Sequence, residues 1–402
     1  MTVAVIVVWL ALALLVYTQV GYGLLLALLA HLGVARADAR RAGGGSPAGG
    51  AVEVDAELGA DRPVPPVSVI VAAYHEQDVI TGRVANLRAS RFPAGRLEII
   101  VAVDGGADPD RDLTADRARA AGADLVLELP RSGKVAAQNA AVRAAGGEIL
   151  AFTDANARWE PDALATLVDA FRDARVGYAC GEVSFLNPAG GTNQEGIYWR
   201  YELFLRRLES ELASITAGNG AIYATRAATY LHLDPRMGHD ISFPFRLVKA
   251  GWRAISVPAA RATEKMAPSI EGEFARKRRM ARQETWPSVI LGGMFDPRGY
   301  PPLYALMVFS HRTLRYTSPL LHLILFGASL AAVGAGAGLV YEIALALQVA
   351  LILGALLAPR WPNRLLLLAR YYVFTTASLA VGLWDWMRGT QTVGWEPAEG
   401  TR

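Results

Sequence analysis

The first 35 residues contain no lysine, arginine, aspartate or glutamate, and this uncharged stretch strongly limits how the chain can fold. About 20 apolar residues in a helix span the hydrocarbon core of a membrane. We therefore predict one membrane helix within residues 3–32, in an N-terminal segment of residues 1–35. A cleaved signal peptide is the alternative, because residues 34–37 loosely resemble a cleavage site. The length of the apolar stretch and the absence of a basic segment before it favour a retained helix.

Apolar segments of membrane length return near the other end of the chain, where Glu342 and Arg370 are their only charged residues. Arg370 and its aromatic neighbours leave an interfacial helix open for the last segment. The side of the membrane that holds the tail, residues 386–402, stays open for the same reason. The predicted spans lie near residues 317–337, 339–358 and 365–384, in a region of residues 317–385.

The arginines that flank these spans predict the orientation. Cytoplasmic loops carry an excess of basic residues, and three arginines follow the first helix. We expect an integral membrane protein of a bacterial-type plasma membrane, with the domain that follows on the cytoplasmic side. Residues 36–66 are rich in glycine, alanine and proline and predict a flexible linker.

Charge and cysteine content exclude some classes of function. The formal net charge is only +3, and basic residues cluster in 276–282, so we predict no nucleic-acid partner. Cys180 is the only cysteine, which rules out an intramolecular disulfide and a multi-cysteine zinc site and fits a reducing compartment. We interpret it as a small buried residue.

Apolar runs alternate with helical patterns between residues 67 and 270. This alternation predicts an α/β domain with a doubly wound, mostly parallel sheet whose site lies at the carboxyl ends of its strands. Glu76, Asp104 and Asp154 each come just past such a run, so the fold would bring them to one edge. The predicted strands are 67–73, 97–103, 124–129 and a run from 149 that ends at Asp154; the predicted helices are 78–90, 111–121 and 133–145.

Asp154 and Asn156 are the most informative pair at this edge. A carboxylate and a second oxygen ligand after a parallel strand can hold a hard divalent cation against a diphosphate. Lys134 follows Gly133 at a helix start, but the spacing is not that of a P-loop, so an ATPase is not indicated. Each residue taken singly could also be a turn former, a cap or a solvated side chain.

The motifs, taken in order, resemble the family 2 inverting glycosyltransferases with a GT-A fold, in particular the membrane-embedded branch that includes polysaccharide synthases. The resemblance covers about 67–290. Two departures stand out, because His75 replaces an asparagine and Asn156 replaces the second carboxylate of an Asp-x-Asp motif. The matching motifs are 67–76, Asp104-Gly-Gly-Ala-Asp108, Gly133-Lys134 with Asn139, 152–156, Gly218-Asn-Gly-Ala221, His239-Asp240 and 245–252.

The resemblance implies a role for each matching position. Inverting transfer needs a carboxylate near the acceptor to take the proton of the attacking hydroxyl, and Asp240 is implied as that base. A helix cap is the alternative for Asp240. The other implied roles are nucleoside binding by Glu76 and Asp104, diphosphate contact by Lys134, Mg²⁺ or Mn²⁺ binding by Asp154 with Asn156, and an acceptor-side loop of Gly218, Asn219 and Gly220.

The segment 271–316, after a GT-A domain of residues 67–270, predicts amphipathic interfacial helices whose basic side chains face lipid headgroups. Gln283-Glu-Thr-Trp286 is also similar to the Gln-x-x-Arg-Trp motif of processive synthases, although it is one residue shorter and lacks the internal arginine. On that resemblance Arg279, Gln283 and Trp286 would enter the acceptor side.

These inferences lead to one preferred function and two alternatives. We expect an enzyme that moves a sugar from a nucleotide sugar, a UDP-sugar by preference, onto a growing glycan at the membrane with a β-linkage, as a polysaccharide synthase does. The first alternative is a single transfer to a polyprenyl-phosphate or lipid-linked acceptor. The second is a catalytically silent sugar-nucleotide-binding subunit. The expected partners are the donor, a glycan or lipid-linked acceptor, and membrane lipid.

Overall fold

A computed structural model describes residues 1–33, 64–105, 112–186, 194–265 and 270–389. Most of the predicted linker and of the predicted tail lies outside these residues. So does Asp108 of the Asp104–Asp108 motif.

One eight-stranded sheet forms the centre of the chain, in the order β3-β2-β1-β4-β7-β6-β8-β5. The first four strands run parallel, and β7 joins β4 in the antiparallel direction. Strands β1 and β2 are continuous apolar runs buried on both faces, as helix-covered parallel strands must be. The strands are β1 Val67–Ala73, β2 Leu97–Asp104, β3 Leu125–Leu129, β4 Ile149–Asp154, β5 Arg158–Trp159, β6 Val176–Leu186, β7 Tyr223–Arg226 and β8 Arg253–Lys265.

Helices cover both faces of this sheet and continue beyond it. The predicted helices after the first two strands and before β4 are all present, each shorter than expected by a few residues at its ends. The helices are α1 Thr2–Val16, α2 Tyr22–His31, α3 Ile80–Arg88, α4 Thr114–Ala120, α5 Lys134–Ala144, α6 Ala163–Asp169, α7 Gln194–Leu212, α8 His239–Lys249, α9 Ile270–Met280, α10 Trp286–Ile290, α11 Pro302–Met307, α12 Leu314–Tyr316, α13 Ser318–Gly334, α14 Leu339–Leu357 and α15 Arg364–Met387.

The strand register brings the predicted polar residues to one edge. Ala72 of β1 is level with Asp154 of β4 and with Ala102 of β2, so Asp104 ends β2 just beyond Asp154. Glu76 follows the end of β1 by three residues. The prediction that the carboxyl ends of the parallel strands collect these side chains is confirmed.

His75 has a backbone φ of 51°, in the left-handed region. Among residues with a side chain, asparagine, aspartate and histidine adopt this region most readily. The substitution of His75 for the family asparagine therefore keeps the backbone turn that follows β1. Its N–H bonds to Asp112 at 3.3 Å, which joins this turn to the start of α4.

Within the described residues, three helical segments are long and apolar enough to cross a membrane: Thr2–His31, Leu339–Leu357 and Arg364–Met387. A fourth crossing results if Pro302–Tyr316 and Ser318–Gly334, which meet at 64°, form one broken span. The outer faces of these helices carry exposed leucines, such as Leu347 and Leu365. These segments agree with the predicted positions of the spans.

A buried ionic cluster joins the N-terminal segment, α7 and the 302–316 segment. Glu209 of α7 accepts hydrogen bonds from Tyr22 at 2.7 Å and from the Thr216 N–H at 3.0 Å, and its Oε1 lies 2.6 Å from His311 Nδ1. Arg312 bonds to Glu202 at 3.0 Å and to the Thr216 hydroxyl at 2.8 Å. The predicted interfacial helix at 310–316 thus places buried charges against α7.

The basic segment 276–282 packs against the last helix. Arg278 forms an ion pair with Asp385 of α15 at 2.6 Å, and Lys277 donates to Tyr371 at 2.9 Å. Arg276 bonds to Glu273 within its own helix at 2.8 Å. Several of the charges predicted to face lipid headgroups are therefore paired inside the protein.

Candidate active site

Asp104 holds the loop that starts α5. Its carboxylate accepts hydrogen bonds from the Ser132 N–H at 2.6 Å and from the Gly133 N–H at 3.0 Å. Gly133 has a φ of +91°, a conformation that favours glycine, and Lys134 begins the helix immediately after it. Asp104 therefore fixes the position of Lys134, a role that the sequence did not indicate.

Lys134 forms an ion pair with Asp154 across the sheet edge. Burial opposes the charge on the lysine, but the carboxylates of Asp154, Glu284 and Asp240 more than offset this, so the pKa of Lys134 is raised. Gly220 lies against the pair, since a Cβ there would stand 3.1 Å from Lys134 Nζ and 3.5 Å from Asp154 Oδ2. The second oxygen of Asp154 thus faces the glycine of the predicted acceptor-side loop.

Arg83 is a further cation near Asp154 that the sequence did not indicate. Its guanidinium stacks on Trp159 at 4.9 Å, and its side chain is buried. Burial lowers the pKa of Arg83 to about 9, although the negative charges of Asp154 and Glu264 oppose the shift. The charge of Arg83 therefore acts on Asp154 in addition to that of Lys134.

The predicted metal ligands are few. Asp154 and the half-buried Asn156 stand two residues apart after β4. No group of three or more His, Cys, Asp or Glu side chains within the described ranges could hold a metal ion. Mg²⁺ commonly binds through one or two carboxylates together with substrate phosphates. This donor set therefore fits a cation that is held together with a diphosphate.

The loop Gly218-Asn219-Gly220 lies next to the Lys134–Asp154 pair and is bonded to the backbone of Asp240. The Gly218 N–H donates to the Asp240 carbonyl at 2.7 Å. A Cβ at Gly218 would come within 2.1 Å of the Tyr178 hydroxyl, so only glycine fits there without movement of neighbours. The loop and the start of α8 are in this way held at a fixed separation.

The prediction that Asn219 lines the acceptor side does not agree with its contacts. Its amide nitrogen donates to the Gly181 carbonyl at 2.8 Å, and its amide oxygen accepts from the Ala221 and Ile222 N–H groups at 3.1 and 3.0 Å. The side chain is buried, and these bonds use its polar atoms to shape the loop. Asn219 is a positioning residue for its two glycine neighbours.

Asp240 lies in the first turn of α8, and Gly238 is the residue that caps the helix, so Asp240 is not the cap. Its Oδ1 accepts from the Ile241 N–H at 3.0 Å. Burial raises the pKa of Asp240, and the cations Lys134 and Arg206 offset part of that rise. The charges of Asp240 and Lys134 therefore act on each other within the site.

Glu284 is the main carboxylate that sequence reasoning missed. A Cβ at Gly238 would stand 2.9 Å from Glu284 Cβ and 3.1 Å from Asp240 Oδ1, so both side chains flank the same glycine. Burial and the negative charge of Asp240 raise the pKa of Glu284 to about 7, against the opposing field of Lys134 and Arg279. Its position inside the Gln283–Trp286 motif was the sequence feature that could have indicated Glu284 as a site residue.

The three residues predicted to enter from that segment are placed differently. Arg279 is near enough to Glu284 to lower its pKa, so it belongs to the site's electrostatic surroundings. Gln283 is half-buried and precedes Glu284. Trp286 does not match the prediction, because its indole N–H donates to the Leu379 carbonyl of α15 at 2.9 Å and its ring packs near Tyr316.

The raised pKa of Glu284 makes the stability of the fold depend on pH. The folded protein holds a proton on Glu284 up to about pH 7, whereas the unfolded chain releases it near pH 4.5. The stability that this proton contributes is fully present below about pH 4.5, is lost as pH rises from there to about 7, and is gone at higher pH. We expect the free energy of unfolding of Glu284→Gln to exceed that of wild type by about 1–3 kcal/mol at pH 8, and by less at pH 5. The variant should therefore unfold at a higher temperature at pH 8.

Thermal unfolding of the two proteins from pH 5 to 8 measures this difference. The matched control is Glu160→Gln, at an exposed position after β5, which should follow the wild-type curve. A constant difference between Glu284→Gln and wild type across the range would contradict the expectation.

Comparison with known proteins agrees with this geometry. The sequence profile described as "Glycosyltransferase like family 2" matches residues 65–284, more than half of the chain. The chain belongs to this family. The family resemblance predicted from the motifs is thus confirmed, and the match extends from the start of β1 to Glu284.

Among curated relatives, an N-acetylglucosaminyltransferase of Rhizobium leguminosarum bv. viciae is 26% identical over 248 residues, which cover 57% of this chain and 58% of the relative. The glycosyltransferase AglE of Haloferax volcanii is 28% identical over 142 residues, 35% of this chain and 45% of that protein. A beta-monoglucosyldiacylglycerol synthase of Trichormus variabilis is 33% identical over 119 residues, 28% of this chain and 25% of the relative. The chain spans about half the length of the first two of these relatives.

A solved structure extends the likeness to the whole fold. The mannosyltransferase PcManGT from Pyrobaculum calidifontis, solved in complex with GDP-Man and Mn²⁺, superposes with a TM-score of 0.66 at 24% identity. The alignment covers 96% of this chain and 100% of that one. At this level of identity the likeness shows the fold alone. The GT-A fold predicted for this chain is confirmed.

Proposed function

We propose that this protein is a membrane-bound inverting glycosyltransferase that moves a sugar from a nucleotide sugar, with a UDP-sugar as the expected donor, to a glycan or lipid-linked acceptor. The observation that carries the proposal is the convergence of three groups around one loop. The Lys134–Asp154 pair lies against Gly220, and Asp240 is bonded through its carbonyl to Gly218.

The charges in this arrangement suit a single displacement at the anomeric carbon. Lys134 would contact the diphosphate and stabilise the negative charge that develops on it as it leaves. Asp240 would take the proton of the acceptor hydroxyl as that oxygen attacks. Attack from the side opposite the leaving diphosphate inverts the anomeric centre, which gives a β-linkage from an α-linked donor.

A divalent cation, Mg²⁺ or Mn²⁺, would be held by Asp154 and Asn156 together with the donor diphosphate, where it would neutralise charge on the leaving group. Because Lys134 already pairs with Asp154, the protein's own contribution to binding the cation is small. Donor binding would therefore bring the cation and the lysine to the same phosphates.

Mn²⁺ binding tests this arrangement. Two protein ligands alone bind a divalent cation weakly. We therefore expect the nucleotide-free protein to bind Mn²⁺ at least about tenfold less tightly than the protein with nucleoside diphosphate. Asp154→Ala should remove that gain. Loss of the free Mn²⁺ paramagnetic resonance signal during a titration measures both constants.

The control for this titration is Asp162→Ala, whose exposed carboxylate pairs with Arg91 on the surface. It should behave as wild type does. Tight Mn²⁺ binding in the absence of nucleotide, or an unchanged gain in Asp154→Ala, would remove Asp154 from the proposed ligands.

The apolar helices support a membrane location, and the flanking arginines support a cytoplasmic face for the catalytic domain. An acceptor at the membrane surface would then reach the site from the side of α9 and the 302–316 segment. A relative named as a beta-monoglucosyldiacylglycerol synthase supports a lipid acceptor, and relatives named as N-acetylglucosaminyltransferases support sugar transfer without naming the acceptor.

Chain elongation, as in a polysaccharide synthase, and a single transfer to a lipid-linked acceptor give different products. The burial of Trp286 favours single transfer, because its indole N–H is bonded to the Leu379 carbonyl of α15, whereas the resemblance to processive synthases implied that it enters the acceptor side. Purified full-length protein incubated with radiolabelled nucleotide sugars and Mn²⁺ or Mg²⁺ distinguishes them. Long polymer supports elongation, and a singly glycosylated, organic-extractable lipid supports single transfer.

A further inference from the structure

Arg206 is a buried cation without a hydrogen bond to any residue that the structure describes. It lies on the inner face of α7 and is 5% exposed. Its Nε and Nη1 are fully buried and make no hydrogen bond. Its contacts are the face of Trp199 at 5.1 Å and a long ion pair, Nε to Glu202 Oε1, at 3.4 Å.

The carboxylate of Glu202 is already used by other groups. Arg312 and Arg315 lie 3.0 and 2.5 Å from its two oxygens, and His311 lies 3.1 Å away. The described cluster thus sets Arg206, Arg312 and the partly buried Arg315 against the carboxylates of Glu202 and Glu209. Of these three arginines, Arg206 has the longest ion pair and the weakest partner.

The cluster is connected to the proposed site by direct contacts. Arg312 bonds to Thr216 at 2.8 Å, and Thr216 precedes Gly218, whose N–H bonds to Asp240. The field of Arg206 also acts on Asp240 and on Cys180, and the Cys180 sulfur accepts from the Asn219 N–H at 3.3 Å. Glu202 and Arg312 therefore link the guanidinium of Arg206 to Thr216, two residues before the acceptor-side loop.

Leaving such a group unbonded is costly. Removing a cation from water costs several kcal/mol unless hydrogen bonds and a counter-charge replace the solvent. A guanidinium forms its strongest hydrogen bonds with the paired oxygens of a carboxylate or a phosphate. Arg206 has Glu202 as a distant counter-charge, and an oxyanion brought by a ligand would supply the hydrogen bonds that it lacks.

We propose that Arg206 binds an anionic group, a phosphate or a carboxylate, of the acceptor. This inference rests on the proposed function, because it assigns the chemistry of the acceptor for the same site. The anion comes either from the phosphate of a lipid carrier or from the carboxylate of an acidic sugar. Trp199, stacked on the guanidinium, completes a flat surface beside it.

Binding of matched charged and neutral compounds tests the proposal. The full-length protein in detergent, with Mn²⁺ and nucleoside diphosphate, is titrated calorimetrically with octyl glucuronide against octyl glucoside, and with phytanyl phosphate against phytanol. A hydrogen-bonded charge pair corresponds to a factor of about 10–100 in Kd. We expect wild type to favour one anionic compound over its neutral match by such a factor, and the favoured pair identifies the source of the anion.

Arg206→Gln should abolish the preference, and Arg206→Lys, which keeps the charge but not the paired donors, should retain part of it. Arg207→Gln is the matched control, since the neighbouring Arg207 is exposed and pairs with Glu182 at the surface. Equal affinities within both wild-type pairs, or a preference that survives in Arg206→Gln, would overturn the proposal.

A purely electrostatic role for Arg206 gives a different result. If the residue only kept Asp240 ionised, Arg206→Gln would move the acid limb of the transfer rate to higher pH and weaken neither anionic compound selectively, and this outcome overturns the proposal. If wild type itself released no nucleotide from any donor, the proposed function would fail, while the binding preference would still decide the role of Arg206.

Discussion

Asp240→Asn should lower the turnover of sugar transfer by about 10²–10⁴-fold and leave donor affinity within about threefold of wild type. The amide keeps the size of the side chain and its hydrogen bond to the Ile241 N–H, but it cannot take a proton from the acceptor. Nucleotide release in the presence of acceptor measures turnover, and calorimetric titration with the donor nucleotide measures affinity.

Two further variants make this result specific. Asp234→Asn, in the loop before α8 where the carboxylate pairs with Arg236, should transfer sugar at the wild-type rate. Glu284→Gln tests which of the two carboxylates beside Gly238, Glu284 or Asp240, acts as the base. If Glu284→Gln lost turnover while Asp240→Asn kept it, Glu284 would be the base in place of Asp240.

Glu209→Ala should destabilise the fold by about 3–5 kcal/mol, the usual cost of removing one member of a buried ion pair. The change leaves His311, Tyr22 and the Thr216 N–H without the carboxylate that each of them contacts. Because Tyr22 lies in the apolar N-terminal segment Thr2–His31, the packing of that segment on α7 should loosen as well. Denaturation of the detergent-solubilised chain, followed by tryptophan fluorescence, measures the loss.

Glu211→Ala is the matched control for Glu209→Ala, since Glu211 lies on the same helix and is exposed. We expect it to change stability by less than about 0.5 kcal/mol. Similar stability of the two variants would mean that the ionic cluster does not hold the N-terminal segment and the 302–316 segment on the domain.

The strand edge could be predicted because buried parallel strands are continuous apolar runs, and the first polar residue after each run falls at the same edge. That pattern located Glu76, Asp104 and Asp154 correctly. It did not show what the side chains contact. Asp104 caps the loop before Lys134, and Asn219 turns inward, and both facts depend on elements that are distant in sequence.

Glu284 and Arg206 were missed for a related physical reason. Charged residues on an amphipathic helix are expected on its solvent face, yet α7 places Glu202, Arg206 and Glu209 on its inner face. The burial of Glu202 and Glu209 is possible because the 302–316 segment brings Arg312, His311 and Arg315 against them. The composition of α7 alone contains no sign of those partners.

The most direct measurement of the central claim is the release of nucleoside diphosphate by the purified full-length protein from a panel of nucleotide sugars, with Mn²⁺ and membrane lipid present. The proposed function predicts release from at least one donor, dependent on the divalent cation and greatly reduced in Asp240→Asn. Release from no donor, with the nucleotides still bound by the protein, would contradict it and would leave a sugar-nucleotide-binding subunit as the function.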